Sequence, residues 1–129
     1  INLYTRQQLR LAAFLHDTLK HLEDTNRPRD WSRHHSVLAR NFAAQFIADE
    51  SVLKIIEHHD EPFHSWRTQY VFNQVEEGEK RLEKLLKNIG DDLQSFYLFF
   101  KCDTRTGDKN QKPLIWFETT IPNIEVVDF

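Results

Sequence analysis

The amino-acid sequence predicts an all-α fold: one bundle of about five helices followed by an irregular C-terminal tail. Three observations carry that expectation. Apolar residues recur at three- and four-residue spacing in five separate stretches. Gly and Pro are scarce, 3 and 4 of 129 residues, so long runs proceed without a breaker. The longest run also sets acid before base four residues apart, at Glu76-Lys80, Glu77-Arg81 and Glu83-Lys87, a pattern that supports an exposed helix face.

The first helix is predicted from Leu3 to about Glu23, with Leu11, Phe14, Leu15, Leu19 and Leu22 as its apolar positions. Residues 24–30 then read as a loop, because Asn, Asp and Pro cluster there, and Ser32 is placed to cap the next helix. That second helix is predicted over 33–47, its inner stripe being Leu38, Ala39, Phe42, Ala43 and Phe46. His35 falls on that stripe, while His34 is rotated toward Val37 and Asn41. The third helix, 51–59, ends its stripe of Val52, Ile55 and Ile56 on His59, with His58 one step round the helix. Residues 60–66 read as a loop, with Asp60 and Glu61 solvated. A long amphipathic helix is predicted over 68–88 with Val71, Phe72, Val75, Leu82, Leu85, Leu86 and Ile89 inward, stopped by Gly90. The last helix opens at Asp91 or Asp92 and carries Asp103 on the stripe of Phe96, Phe99 and Phe100. After Gly107 the periodicity ends, so 113–117 and 122–129 are expected to be extended or irregular.

Composition bounds the function. With 40% hydrophobic and 12% aromatic residues, 129 residues suffice for a single domain spanning 1–129. The net charge of −3 gives no global attraction to nucleic acid or to an acidic membrane. A lone cysteine, Cys102, excludes an internal disulfide, fits a reducing cytoplasm and is assigned a structural role. No run reaches membrane-spanning length and no signal peptide is read, so a cytoplasmic protein is expected. The chain opens at Ile1 without Met, so residues upstream are expected to be missing.

Four stations carry groups that ligate metals: His16-Asp17, His34-His35, His58-His59 and Asp103. A carboxylate on an apolar stripe is costly unless paired or metal-bound. Imidazole mixed with carboxylate suits one or two ions of Mn, Fe, Co, Ni or Zn in preference to Mg or Ca, which favour oxygen alone. Such an ion lowers the pKa of a coordinated water and clamps a phosphoryl oxygen, which permits hydrolysis of a phosphate ester without a protein nucleophile. His21 and His64 are read as surface residues.

In order, these stations resemble the HD-domain superfamily of metal-dependent phosphohydrolases. The run Ala12-Ala13-Phe14-Leu15-His16-Asp17-Thr18-Leu19-Lys20 is similar to the family's apolar approach to a His-Asp doublet followed by Lys. His35 with Ala39, Ile55-Ile56-Glu57-His58-His59-Asp60-Glu61-Pro62, and Cys102-Asp103 match its later stations, so the resemblance spans about residues 5 to 110. It implies an HD-type bundle and a small-molecule phosphate ester, such as a nucleotide, as substrate. The implied metal ligands are His16, Asp17, His35, His58, His59 and Asp103, with Asp17 and Lys20 catalytic. Lys20, Arg67, Arg105 and Lys109 are placed to contact phosphate, and Trp66 or Phe63 to stack on a base. The sequence departs from the pattern twice. No His occurs among the fifteen residues before His16, where the family has one on an earlier helix, and Leu19 stands in place of a Gly. The same frame also hosts di-iron oxygenases and non-catalytic regulatory domains, which are the alternatives to hydrolysis.

Overall fold

A computed structural model of the chain describes residues 2–22 and 30–129. All regular structure among them is helical, as predicted, with seven α-helices and three short 3-10 turns. The chain forms two compact units, Ile1–His59 and Asp60–Phe129.

In the first unit α1 runs Leu3–Leu15, α2 His35–Ala43 and α3 Glu50–His58. Asn2 caps α1 by accepting a hydrogen bond from the Thr5 N–H at 2.8 Å. The helix is shorter than predicted. At its end the Thr18 hydroxyl donates to the Leu15 carbonyl at 2.9 Å, a local side-chain bond that competes with continuation. A turn comes next, then a 3-10 segment at Lys20–Leu22. The predicted apolar stripe is corrected too: α1 buries Gln8 and Ala12, while Phe14 is 79% exposed. Most of the predicted loop, residues 24–29, lies outside the described residues. Asp30, not Ser32, caps the 3-10 turn Trp31–Arg33, and His34 caps α2. The second helix stops at Ala43, and it packs through Ser36, Ala39 and Ala43, leaving Phe42 and Phe46 exposed. Small residues on the contact line let α2 and α3 approach closely. The third helix matches expectation to within a residue. Asp49 caps it through the N–H groups of Ser51 and Val52, and the same carboxylate accepts from Tyr4 Oη at 2.6 Å and Gln8 Nε2 at 3.1 Å on α1.

The second unit contains α4 (Glu61–Tyr70), α5 (Val75–Ile89), α6 (Leu93–Thr104) and α7 (Lys112–Thr120). Two segments read as non-helical are helices. Residues 61–66 begin α4 after Asp60 at its N-cap, because Pro62 lies in the first turn, where a missing N–H costs nothing. Residues 113–117 lie in α7, again with Pro in the first turn, and Asn110 Oδ1 accepts from the Lys112 N–H at 3.0 Å. Leu114, Phe117 and Ile121 are its buried side, at spacings of three and four. The single long helix over 68–88 is in fact two. Asn73 sits at φ 56°, the left-handed region that Asn tolerates, and the Gln74 N–H bonds to the Thr68 carbonyl, so α4 turns back as α5. Val71, Phe72 and Val75, expected inward, therefore lie exposed on that turn. Gly90 ends α5 at φ 56° as predicted.

The α4–α5 hairpin is tight. Ser65 Oγ donates to the Gly78 carbonyl at 2.7 Å, and Arg81 grips Glu61 with both Nε and Nη2, at 2.6 and 3.0 Å. Glu61 is thus a paired residue of α4 and not loop solvation. Phe96, Tyr97, Leu85, Ile89, Leu114 and Phe117 fill the core of this unit.

Candidate metal centre

His16 and His59 occupy equivalent places. Each is the C-cap of its helix, α1 and α3. Each turns its Nδ1 back to a carbonyl three residues earlier, His16 to Ala13 O at 2.8 Å and His59 to Ile56 O at 2.7 Å. These carbonyls belong to last turns, whose oxygens lack an intrahelical partner. A carbonyl can only accept, so Nδ1 carries the proton and, in the neutral ring, Nε2 presents a lone pair. A ligand imidazole is commonly oriented in this way.

Both Nε2 atoms face Asp17, as does a third. His16 Nε2 lies 3.1 Å from Asp17 Oδ2, while His35 Nε2 and His59 Nε2 lie 3.6 and 4.0 Å from Oδ1. The ligand atoms of His16, Asp17 and His59 all fall within 4.8 Å of one another. His59 is 2% exposed and His35 is buried beside it, whereas the Asp17 side chain is 46% exposed. With Nδ1–H already donated, His16 contacts the carboxylate favourably only as an imidazolium or across a shared cation. The His16 hydrogen bond holds the pKa of Asp17 down to about 2 against the upward push of burial, with further help from the charges of His59 and Lys20. Negative helix C-termini from α1 and α3 add to the preference for positive charge. By donor type and protonation, this cluster fits a divalent transition metal.

His35 enters from the start of α2, and its ring centroid lies 5.8 Å from that of His59. His34 stacks on it at 4.2 Å between centroids, and Trp31 lies 5.6 Å beyond His34. His34 itself is turned to its own helix, where Nδ1 meets the Ser36 hydroxyl at 2.6 Å and the Ser36 N–H at 3.3 Å. Of this doublet the structure therefore brings His35 to Asp17. Of the other it brings His59, since His58 Nε2 is 2.8 Å from Glu57 Oε2, in a pair that Arg40 joins at 3.6 Å. The His58 hydrogen bond lowers the Glu57 pKa despite partial burial.

Lys20 is exposed on the 3-10 segment one turn past Asp17. In the second unit Asp103 lies in the last turn of α6, and Lys109 Nζ bonds to its Oδ1 at 2.8 Å and its carbonyl at 2.9 Å. Arg105 donates to Gln111 Oε1 and to the Phe129 carbonyl, at 2.6 and 3.1 Å. Arg67 lies between the rings of Phe63 and Phe72, and its Nη2 is 3.2 Å from His64 Nδ1. His64 is thereby buried, contrary to its expected surface position, while His21 is exposed as expected. Phe63 and Trp66 stack on each other at 6.3 Å. Sequence reasoning missed the Trp31–His34 stack and the two carbonyl locks. A His just past the last residue of an apolar helical stripe is the signal for the locks.

Among the described residues no helix is long and apolar enough to cross a membrane. Comparison with curated proteins and with solved structures gives no significant match. The HD domain family model matches residues 4–93, more than two thirds of the chain. That range contains His16, Asp17, His35 and His59 and stops before Asp103, and by it the chain belongs to the HD-domain superfamily of metal-dependent phosphohydrolases.

Proposed function

We propose that the chain hydrolyses a phosphate ester, a nucleotide or a related small molecule, with His16, Asp17, His35 and His59 holding one or two divalent transition-metal ions. The observation that supports this reading is the pair of imidazoles locked at Nδ1, with Nε2 turned to one carboxylate. When bound, the metal supplies Lewis acidity and an activated water. Asp17 contributes the negative charge of the site, and its exposed side leaves room for substrate. Lys20, one turn on, offers a point charge to the substrate phosphate. Asp103 enters the ligand set of the proposal through the family resemblance, and Lys109 Nζ donates to its Oδ1. In this reading His58 serves its contact with Glu57, which Arg40 also pairs. Arg67, Arg105 and Lys109 remain phosphate contacts of the proposal through their closeness in sequence to the metal stations and their donor chemistry.

The test is elemental analysis of the purified chain, followed by anaerobic phosphate release from nucleotides and simple phosphomonoesters across Mn, Fe, Co, Ni and Zn. Saturating metal at 100-fold its dissociation constant is expected to stabilise the fold by about 2.7 kcal/mol. Asp17→Asn is expected to lose bound metal and about 100-fold in hydrolysis while melting normally without metal. If Asp17→Asn keeps both metal and turnover, the site assignment is wrong. Oxygen consumption with iron alone would redirect the chemistry to oxidation.

A further inference from the structure

His34 and His35 divide the work of a doublet at the opening of α2. His35 is the first residue of the helix, and His34 is its N-cap, held at φ −59° and ψ 144° outside the helical range. The locks on His16 and His59 use carbonyls at the ends of α1 and α3. His35 stands at a helix start, which offers N–H groups instead. His34 takes one of them. The Ser36 N–H points to His34 Nδ1 at 3.3 Å, and the Ser36 hydroxyl lies 2.6 Å from the same atom. A backbone N–H can only donate, so Nδ1 is the acceptor, the hydroxyl donates to it as well, and the ring proton sits on Nε2. In this tautomer His34 has no lone pair to give a metal, and its neutral ring sets no positive charge beside an ion on His35.

The His34 ring is fixed from several sides. Its own N–H donates to the Trp31 carbonyl at 3.2 Å, and its carbonyl accepts from the Leu38 N–H at 3.0 Å. The residue is 4% exposed, and the Trp31 ring lies 5.6 Å away at a tilt of 31°. All of these contacts stand without a metal. Against this fixed ring lies His35, with 4.2 Å between centroids and 32° between planes, closer than the usual range of about 4.5–7 Å for aromatic pairs. His35 Nε2 is then 3.6 Å from Asp17 Oδ1. A turn of the His35 ring about its Cβ–Cγ bond drives its edge into the face of His34, so the stack selects the plane that carries Nε2 toward Asp17.

We propose that His34 is a positioning residue for the metal centre: it caps α2 through Nδ1 and, with its ring so fixed, sets the plane in which His35 presents Nε2. The purpose of this brace rests on the proposed function, while the brace itself belongs to the metal-free chain.

Two variants of the whole chain take the two halves of His34 apart. His34→Asn keeps a capping side chain and removes the ring, whereas His34→Phe keeps a ring and removes the cap. The metal-free chain is read by thermal melting, by long-range proton–nitrogen spectra of the imidazoles, and by carbon relaxation of the His35 ring. Wild type is expected to carry the His34 proton on Nε2 and to hold the His35 ring as rigidly as its backbone. His34→Asn is expected to leave the Ser36 amide ordered and to loosen the His35 ring. His34→Phe is expected to keep that ring ordered and to lower Tm by about 4 °C through the lost cap. Titration with Co(II) reads the consequence: the dissociation constant should rise roughly three- to tenfold in His34→Asn and stay within about twofold of wild type in His34→Phe. A proton on His34 Nδ1, or a His35 ring as ordered in His34→Asn as in wild type, overturns the brace. Equal Co(II) affinity in wild type and His34→Asn overturns its role at the metal centre. A wild type that takes no Co(II) sinks the proposed metal site instead, and the order of the His35 ring still decides the brace.

Discussion

Gly78 lies inside α5, where helix propensity alone favours its replacement by Ala by about 1 kcal/mol. The structure reverses that sign. A Cβ added at Gly78 would stand 2.1 Å from Gln69 Cγ, 2.8 Å from the Ser65 carbonyl oxygen and 3.1 Å from the Gln69 nitrogen. Gln69 can swing aside only within a buried contact, and the Ser65 oxygen is backbone of α4, so the two helices must separate. Overpacking of this kind costs about 1–3 kcal/mol, and the backbone clash places it at the top of that range. Separation also stretches the Ser65 Oγ bond to the Gly78 carbonyl, worth about 1 kcal/mol. Against the propensity gain, Gly78→Ala should destabilise the protein by about 2–3 kcal/mol, lowering Tm by roughly 8–12 °C for a chain of this size. Thermal and urea denaturation read this directly. The control is Glu79→Ala on the exposed side of the same helix, expected within about 0.5 kcal/mol of wild type. If Gly78→Ala melts at or above wild type, the close approach of α4 and α5 is wrong.

Buried or shared carboxylates give two further outcomes. Asp49→Ala removes the cap of α3 and the acceptor for Tyr4 and Gln8 at once, and should lower the urea midpoint by the equivalent of about 1–2 kcal/mol; Asp49→Asn, itself a good cap, should recover part of that. Burial raises the Glu118 pKa, but the hydrogen bonds from Tyr97 and Lys101 outweigh it and bring it below 4.5. Its contribution is therefore present above 4.5 and lost as pH falls through the folded value. Lys101 is shifted the other way: burial lowers it, Glu118 more than compensates, and its contribution is present below 10.5 and lost as pH rises through the folded value. Glu118→Gln should cost about 2 kcal/mol near neutral pH, with the gap to wild type closing in acid. A gap that is constant from neutral pH into acid would refute the assignment.

Helical phase carries the reading of the fold wherever a helix packs one apolar stripe. It places α3 and the end of α5 closely, and it puts His35 and His59 on apolar stripes; both are buried, though His34 is buried beside His35 as well. It fails where ends are set by chemistry that periodicity does not encode. The break at Asn73 depends on one residue in a left-handed conformation, inside a run that otherwise reads as continuous helix. Pro62 and Pro113 read as loop signals in the sequence, yet both open helices, because the first turn needs no N–H from them. In α1 the apolar residues suggest a core stripe, but the side that packs is Gln8 and Ala12, where a small residue admits a neighbouring helix. Within the site, residue types and order are legible from the sequence. The orientation of the rings is not, since backbone oxygens set it.

Those oxygens bear on how the site can change. Ala13 and Ile56 hold the His16 and His59 rings by groups that every amino acid possesses, so no substitution at either position deletes the acceptor. The proton arrangement of both imidazoles is thereby inherited from where α1 and α3 stop. A mutation that moved a helix end by a residue would disturb the donor set more than most exchanges of the side chains around it. Conversely, the sequence at positions 13 and 56 is free to vary for packing without retuning the chemistry.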